Sequence, residues 1–261
     1  MVTADELNDF ATIIDKCRNL VESVNVKVEI SILYIFSQLY AKTLLTMCEI
    51  DTLLVAGYPE GAMTLARNTY ETMIVMAFLY ERRDEKGLVE RFYDDYSVKT
   101  CRDHIKYLEW LRENGNDNEK LELILNKRYD EEKFLKKKYS AYLSGKNETK
   151  YFKQYWWASK DMSFNQLRKE VGYPDNYMYS ISCYRVHAGM TGLLRFDNTE
   201  EGLLIGSCES GKEMPMIFSL LNFTVCTNLY FCIQNIDCTE VLKGMRNLIK
   251  RSNLIIEIDK N

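Results

Sequence analysis

The chain has 261 residues, 46 % hydrophobic and 28 % charged, a composition that excludes an intrinsically disordered protein and is long enough to bury a sizeable core. A formal net charge of −4 excludes a global electrostatic pull toward nucleic acid or an anionic membrane, so any such contact needs a local patch. Three prolines and twelve glycines are too few to punctuate many short strands. The expected fold class is therefore all-α, one domain over 1–261 with about eight to nine helices.

In chain order, Thr3 and Glu6 have the spacing of a capping box, which predicts a first helix from about Ala4 to Ser23. It opens without a basic leader or an apolar signal segment, and the cytoplasm is the compartment expected. A second helix is predicted from about Val26 to Ala56, closed by Gly57, with Ile30, Leu33, Tyr34, Leu44, Leu45 and Leu53 facing the core. Pro59 suits the first turn of a third helix reaching about Arg82, and Met73 to Tyr80 is apolar all round, which predicts a central position. Asp84 is the expected cap of a fourth helix ending near Asn114, Gly115 and Asn116.

A charged fifth helix is predicted over about Asn118 to Leu143. Ser163 with Gln166 forms a second capping box for a short helix ending at Gly172, and another short helix follows from about Asp175 to Ala188. A long loop or small hairpin is expected near 189–212. From Met214 to Ile236, 23 residues carry no formal charge, enough to cross a bilayer. The density of amides and hydroxyls among them favours a buried core helix and no membrane contact. A last helix is predicted from about Thr239 to Glu257, and both C-terminal helices are expected to pack on a motif-bearing core over about 30–194.

Three groups of residues invite chemistry. On the helix around Tyr179 to His187, helical spacing aligns Ser180, Cys183, Tyr184 and His187, where an imidazole beside a hydroxyl and a thiol suits acyl or phosphoryl transfer; the alternative is a core histidine bound to a backbone carbonyl. Arg67 and Glu71 lie one turn apart on the third helix, either as a solvated stripe with Thr64 and Asn68 or as a cluster completed by His187. Between Lys127 and Trp157, nine basic residues outnumber four acidic ones, and Lys133, Lys136, Lys137 and Lys138 with Trp156 and Trp157 pair cations with rings as single-stranded RNA requires. An ordinary surface helix is the competing reading, since Asp130, Glu131 and Glu132 share it.

The eight cysteines lack any CxxC or Cys/His spacing and read as reduced core thiols. There is no glycine-rich phosphate loop, HExxH, paired-histidine pattern or GxSxG elbow, so neither a cofactor nor a metal is expected.

The run from Ala62 to Glu71 with Arg67 and Glu71, then Tyr155, Trp156, Trp157 and Ser159, Ser163 with its short helix to Gly172, and finally Tyr179, Ser182 and His187, resembles a bacterial helical family catalogued as a domain of unknown function, DUF5677. The resemblance covers roughly Ile30 to Leu194. It implies the helical fold, the grouping of Arg67, Glu71, Ser182 and His187, and a stress or phage-defence setting. HEPN ribonucleases, another compact helical group, carry an arginine a few residues ahead of a histidine on one helix. This chain departs from that pattern: Ser180, Ile181 and Ser182 stand where the arginine would be, and Ser97, Val98 and Lys99 stand ahead of His104.

Two functions follow as expectations. One is a partner-binding or small-ligand-binding module, with a homo-oligomer allowed. The other is a metal-independent ribonuclease in which His187 exchanges the proton, Arg67 or Arg185 stabilises the phosphorane-like charge, and the basic region guides RNA.

Overall fold

The computed structural model describes residues 2–24, 29–115, 118–145, 151–173, 177–186 and 211–252, with the side chains of 184–186 outside that description. Nine α-helices run through them: α1 (Ala4–Glu22), α2 (Ile32–Val55), α3 (Pro59–Glu81), α4 (Leu88–Glu113), α5 (Glu119–Lys138), α6 (Phe164–Glu170), α7 (Tyr177–Val186), α8 (Glu213–Gln234) and α9 (Thr239–Arg251). A 3-10 turn at Ser140–Tyr142 and a single antiparallel bridge between Ser144 and Tyr151 complete the regular structure, and no strand occurs among the described residues. The all-α class is as the sequence predicts. The expected loop at 189–212 lies, apart from its last two residues, outside the described residues.

Local chemistry sets the boundaries. Thr3 and Glu6 close their capping box, the Glu6 amide donating to Thr3 Oγ1 at 3.2 Å and the Thr3 amide to Glu6 Oε2 at 2.8 Å. Ser163 and Gln166 do the same ahead of α6. Asn118 caps α5 by accepting from the Leu121 amide at 2.9 Å. α2 begins later than predicted because Ser31 accepts from the Tyr34 amide and fixes the start there. Asp84 does not cap α4; the chain turns through residues 82–87, and Gly87, at φ 78°, is the last residue before the helix.

The chain divides into two compact units, Met1–Glu81 with Val171–Asn261, and Arg82–Glu170. In the first, α3 packs against both α2 and α8, α1 lies on α2, α9 lies on α1 and α8, and α7 docks on α3. The apolar run of α3 supplies buried Met73, Ile74, Met76, Ala77, Phe78 and Leu79, consistent with its predicted central place. α8 is long and apolar enough to cross a membrane, yet 61 % of its most apolar window is buried. It spends Phe218, Phe223, Tyr230 and Phe231 on the core, each fully buried large side chain contributing roughly 1.5–3 kcal/mol. Tyr40 of α2 stacks on Tyr230 at 4.4 Å and shares a 3.0 Å hydrogen bond with Thr227. Asn222 donates to Thr69 Oγ1 at 3.2 Å. The core face of α2 is Ile35, Phe36, Tyr40, Leu44, Met47, Ile50 and Leu54; Ile30, Leu33 and Leu45, predicted to face inward, are exposed, because the helix starts later and its buried stripe is rotated away from them.

In the second unit α4 and α5 pack through Cys101, Ile105, Leu108, Leu121 and Leu125. Arg91, 5 % exposed, donates from Nε to the Trp157 carbonyl at 2.9 Å and from Nη1 to the Lys86 carbonyl at 3.4 Å, pairs through Nη2 with Glu85, and lies 4.5 Å from the centre of the Tyr142 ring. Every arm of this buried guanidinium has an acceptor, which is the condition for keeping a charge in a core.

Candidate functional site

α3 carries Thr64, Arg67, Asn68 and Glu71 along one face, at helical spacing. Arg67 Nε donates to Glu71 Oε1 at 2.9 Å, and the two side chains are 23 % and 33 % exposed. α7 brings Tyr179 onto this pair. Its hydroxyl donates to the same Glu71 Oε1 at 3.2 Å, and the Arg67 guanidinium carbon lies 5.5 Å from the centre of its ring. The Tyr179 ring in turn rests on buried Tyr70 at 4.8 Å, and Tyr70 packs against Phe218 of α8 at 5.8 Å. The polar cluster therefore rests on an aromatic floor, with the guanidinium within cation–π reach of its outermost ring.

The electrostatics follow from these contacts. Burial works against the Arg67 charge, but the hydrogen bond and negative charge of Glu71 more than offset it and hold the guanidinium above its ordinary range. Burial, then the Glu71 charge, pushes the Tyr179 hydroxyl well above its ordinary value, so it stays a neutral donor throughout the physiological range. Two guanidinium nitrogens, Nη1 and Nη2 of Arg67, have no acceptor among the described residues, and neither has Glu71 Oε2 a donor. An arginine positioned by Nε and by a ring, with an outer fork that no described residue engages, is arranged to take a planar or tetrahedral oxyanion.

The other predicted site residues fare differently. Ser182 is fully buried and donates to the Tyr179 carbonyl at 2.6 Å, which occupies its hydroxyl within its own helix turn. His187 lies outside the described residues, as does the Arg185 side chain. Trp156 and Trp157 do not face solvent. Trp156 is enclosed by Tyr139 and Phe152, both at 4.8 Å, and donates from Nε1 to Asp95 at 2.8 Å; Trp157 meets Phe92 edge-on at 4.8 Å. Their ring faces are spent in the core and cannot stack on bases. Lys138 is tied to Glu90 at 2.7 Å and Asp94 at 2.9 Å, and Lys136 to Glu132 at 3.0 Å; Lys133 and Lys137 are exposed. The interleaving of rings and cations that suggested a nucleic-acid surface is the packing of a core beneath a salt-bridged helix face. Tyr179, which geometry makes the third member of the cluster, is the residue that spacing arguments passed over. Its signal was its place one turn ahead of Ser182 and Cys183 on α7.

Among known proteins, a family model described as a family of unknown function, DUF5677, matches residues 33–203. The chain belongs to the DUF5677 family. The DUF5677 match runs from within α2 through α7 and takes in Arg67, Glu71, Tyr179 and Ser182. No curated protein and no solved structure matches the chain.

Proposed function

We propose that this DUF5677 protein is a non-catalytic helical module that binds an oxyanion-bearing ligand at Arg67, Glu71 and Tyr179. The observation that carries the reading is the fork of Arg67, which has no acceptor among the described residues and lies over the Tyr179 ring. A phosphate or carboxylate of a small molecule, or of a partner's acidic segment, would take both Nη atoms, and a hydroxyl or amino group beside it would donate to Glu71 Oε2. Catalysis is not part of the proposal, because Ser182 is occupied within its own helix turn and Lys136 and Lys138 of α5 are held by carboxylates. The same proposal takes in the setting that the resemblance implies, the cytoplasm of a bacterium under stress or phage attack.

The test is a thermal-shift comparison of the wild type and Arg67→Gln in inorganic phosphate, AMP and acetate, each over a range of concentrations. At a hundred times its dissociation constant a ligand stabilises the folded state by about 2.7 kcal/mol. The reading expects at least one of the three to raise the wild-type midpoint and to leave Arg67→Gln unmoved. Equal shifts in both proteins, or none in either, count against it. Degradation of a mixed RNA pool in EDTA by the wild type, abolished in a folded His187→Ala variant, would instead establish the ribonuclease.

A further inference from the structure

α4 buries Leu88, Arg91, Val98, Cys101, Ile105 and Leu108 on one side. The opposite side of a surface helix is ordinarily polar. Here it carries Tyr93, Tyr96, Tyr107 and Trp110, which are 46 %, 77 %, 56 % and 55 % exposed, with exposed Thr100 and Asp103 between the two aromatic pairs. Tyr107 and Trp110 already stack on each other at 6.2 Å. Rings of this size left in water on one stripe mark an interaction surface.

The stripe has an internal symmetry. Tyr93 and Trp110, Tyr96 and Tyr107, and Thr100 and Asp103 are each equidistant from the midpoint between Cys101 and Arg102. A two-fold axis through that midpoint, perpendicular to the helix, lays a second copy of α4 antiparallel on the first. In that register Tyr93 meets Trp110 of the other copy, Tyr96 meets Tyr107, and the Thr100 hydroxyl donates to the Asp103 carboxylate, each contact occurring twice. Such self-complementarity is what an isologous interface requires. A nucleic acid is the poorer occupant, because stacking platforms for bases lie in positive grooves and α4 carries six acidic against five basic side chains.

We infer that α4 is the interface of a reversible antiparallel homodimer, closed by the four rings of each copy around two central Thr100–Asp103 pairs. With roughly 150–250 Å² per aromatic side chain, the exposed parts of the four rings supply on the order of 350–600 Å² from each copy. A standard interface takes roughly 800 Å² per partner, so the association is weak, in the micromolar range.

Sedimentation velocity of the full chain across about 1–500 µM tests this. The wild type is expected to dimerise with concentration, and Tyr96→Glu, a substitution at an exposed position, to weaken dimerisation at least tenfold without changing the circular dichroism spectrum. The register makes a sharper demand. Thr100→Asp sets like charges against Asp103 of the other copy and weakens the dimer, whereas Thr100→Lys sets an opposite charge there and tightens it. A wild type monomeric throughout, a dimer indifferent to Tyr96→Glu, or two Thr100 variants that move in the same direction would each overturn the inference. So would binding of a single-stranded oligouridylate that Tyr96→Glu abolishes in a chain that stays monomeric.

Discussion

Arg67 and Arg91 begin from the same parts and end in different roles. Each pairs with a glutamate, and each guanidinium lies beside a tyrosine ring, Tyr179 at 5.5 Å for Arg67 and Tyr142 at 4.5 Å for Arg91. Arg91 adds two backbone carbonyls, is buried and has an acceptor for every arm. Arg67 keeps one anchored nitrogen, remains about a quarter exposed, and has an outer fork with no acceptor among the described residues. A fully satisfied, buried arginine holds a fold together. A half-satisfied one on a fixed base is available to something else.

The largest expected effect comes from breaking the structural member of this pair. Arg91→Ala leaves the Trp157 and Lys86 carbonyls without their donor and Glu85 with only its 3.7 Å pairing to Arg82, and should lower unfolding free energy by about 3–4 kcal/mol in urea titration. Arg67→Ala should cost less than about 1 kcal/mol, because the pair is partly exposed and screened. Equal losses would erase the distinction between the two arginines.

A second experiment probes polar groups that are kept in the core with no charge at all, the buried thiols of Cys17 and Cys226. Burial pushes the Cys17 thiol up to about 11 and Cys226 up to about 12. A thiol whose folded pKa is raised is bound to its proton more tightly when folded, so its contribution is complete below about pH 9 and is lost as pH rises through the folded value. Stability should fall between pH 9 and 11 with about 1.4 kcal/mol per pH unit for each thiol, and Cys17→Ala should remove one share of that slope. A slope unchanged in Cys17→Ala would show that this thiol does not titrate on unfolding.

A similarly small effect sharpens the site itself. Tyr179→Phe removes the donor to Glu71 Oε1 while keeping the ring, and should cost about 0.5–1.5 kcal/mol. A double-mutant cycle with Arg67→Gln should show coupling between the two positions, since both bond the same carboxylate oxygen. Additivity would separate them.

Much of the fold was legible because its signals are local. The capping boxes at Thr3 and Ser163, the Asn118 cap and the apolar run of α3 each state their structure within a few residues. What misled was information that only tertiary packing supplies. Trp156 and Trp157 among lysines look like a nucleic-acid platform, yet their partners Tyr139, Phe152 and Phe92 come from other segments and close over them. Arg91 was unremarkable in sequence for the same reason, since its acceptors are largely backbone carbonyls that no residue pattern reveals. Of the site, Arg67 and Glu71 could be read from spacing on α3, but Tyr179 needed the docking of α7. The aromatic stripe of α4 was in principle readable, because its rings recur on the face opposite the buried one.

Calorimetric titration of inorganic phosphate, AMP and acetate, in turn, into the wild type, Arg67→Lys and Arg67→Gln tests the central claim most directly. The account predicts that at least one oxyanion binds the wild type at a single site, binds Arg67→Lys at least tenfold more weakly because a point charge replaces the fork, and does not bind Arg67→Gln. Binding of equal strength to all three proteins, or heat of dilution alone from the wild type, would contradict it.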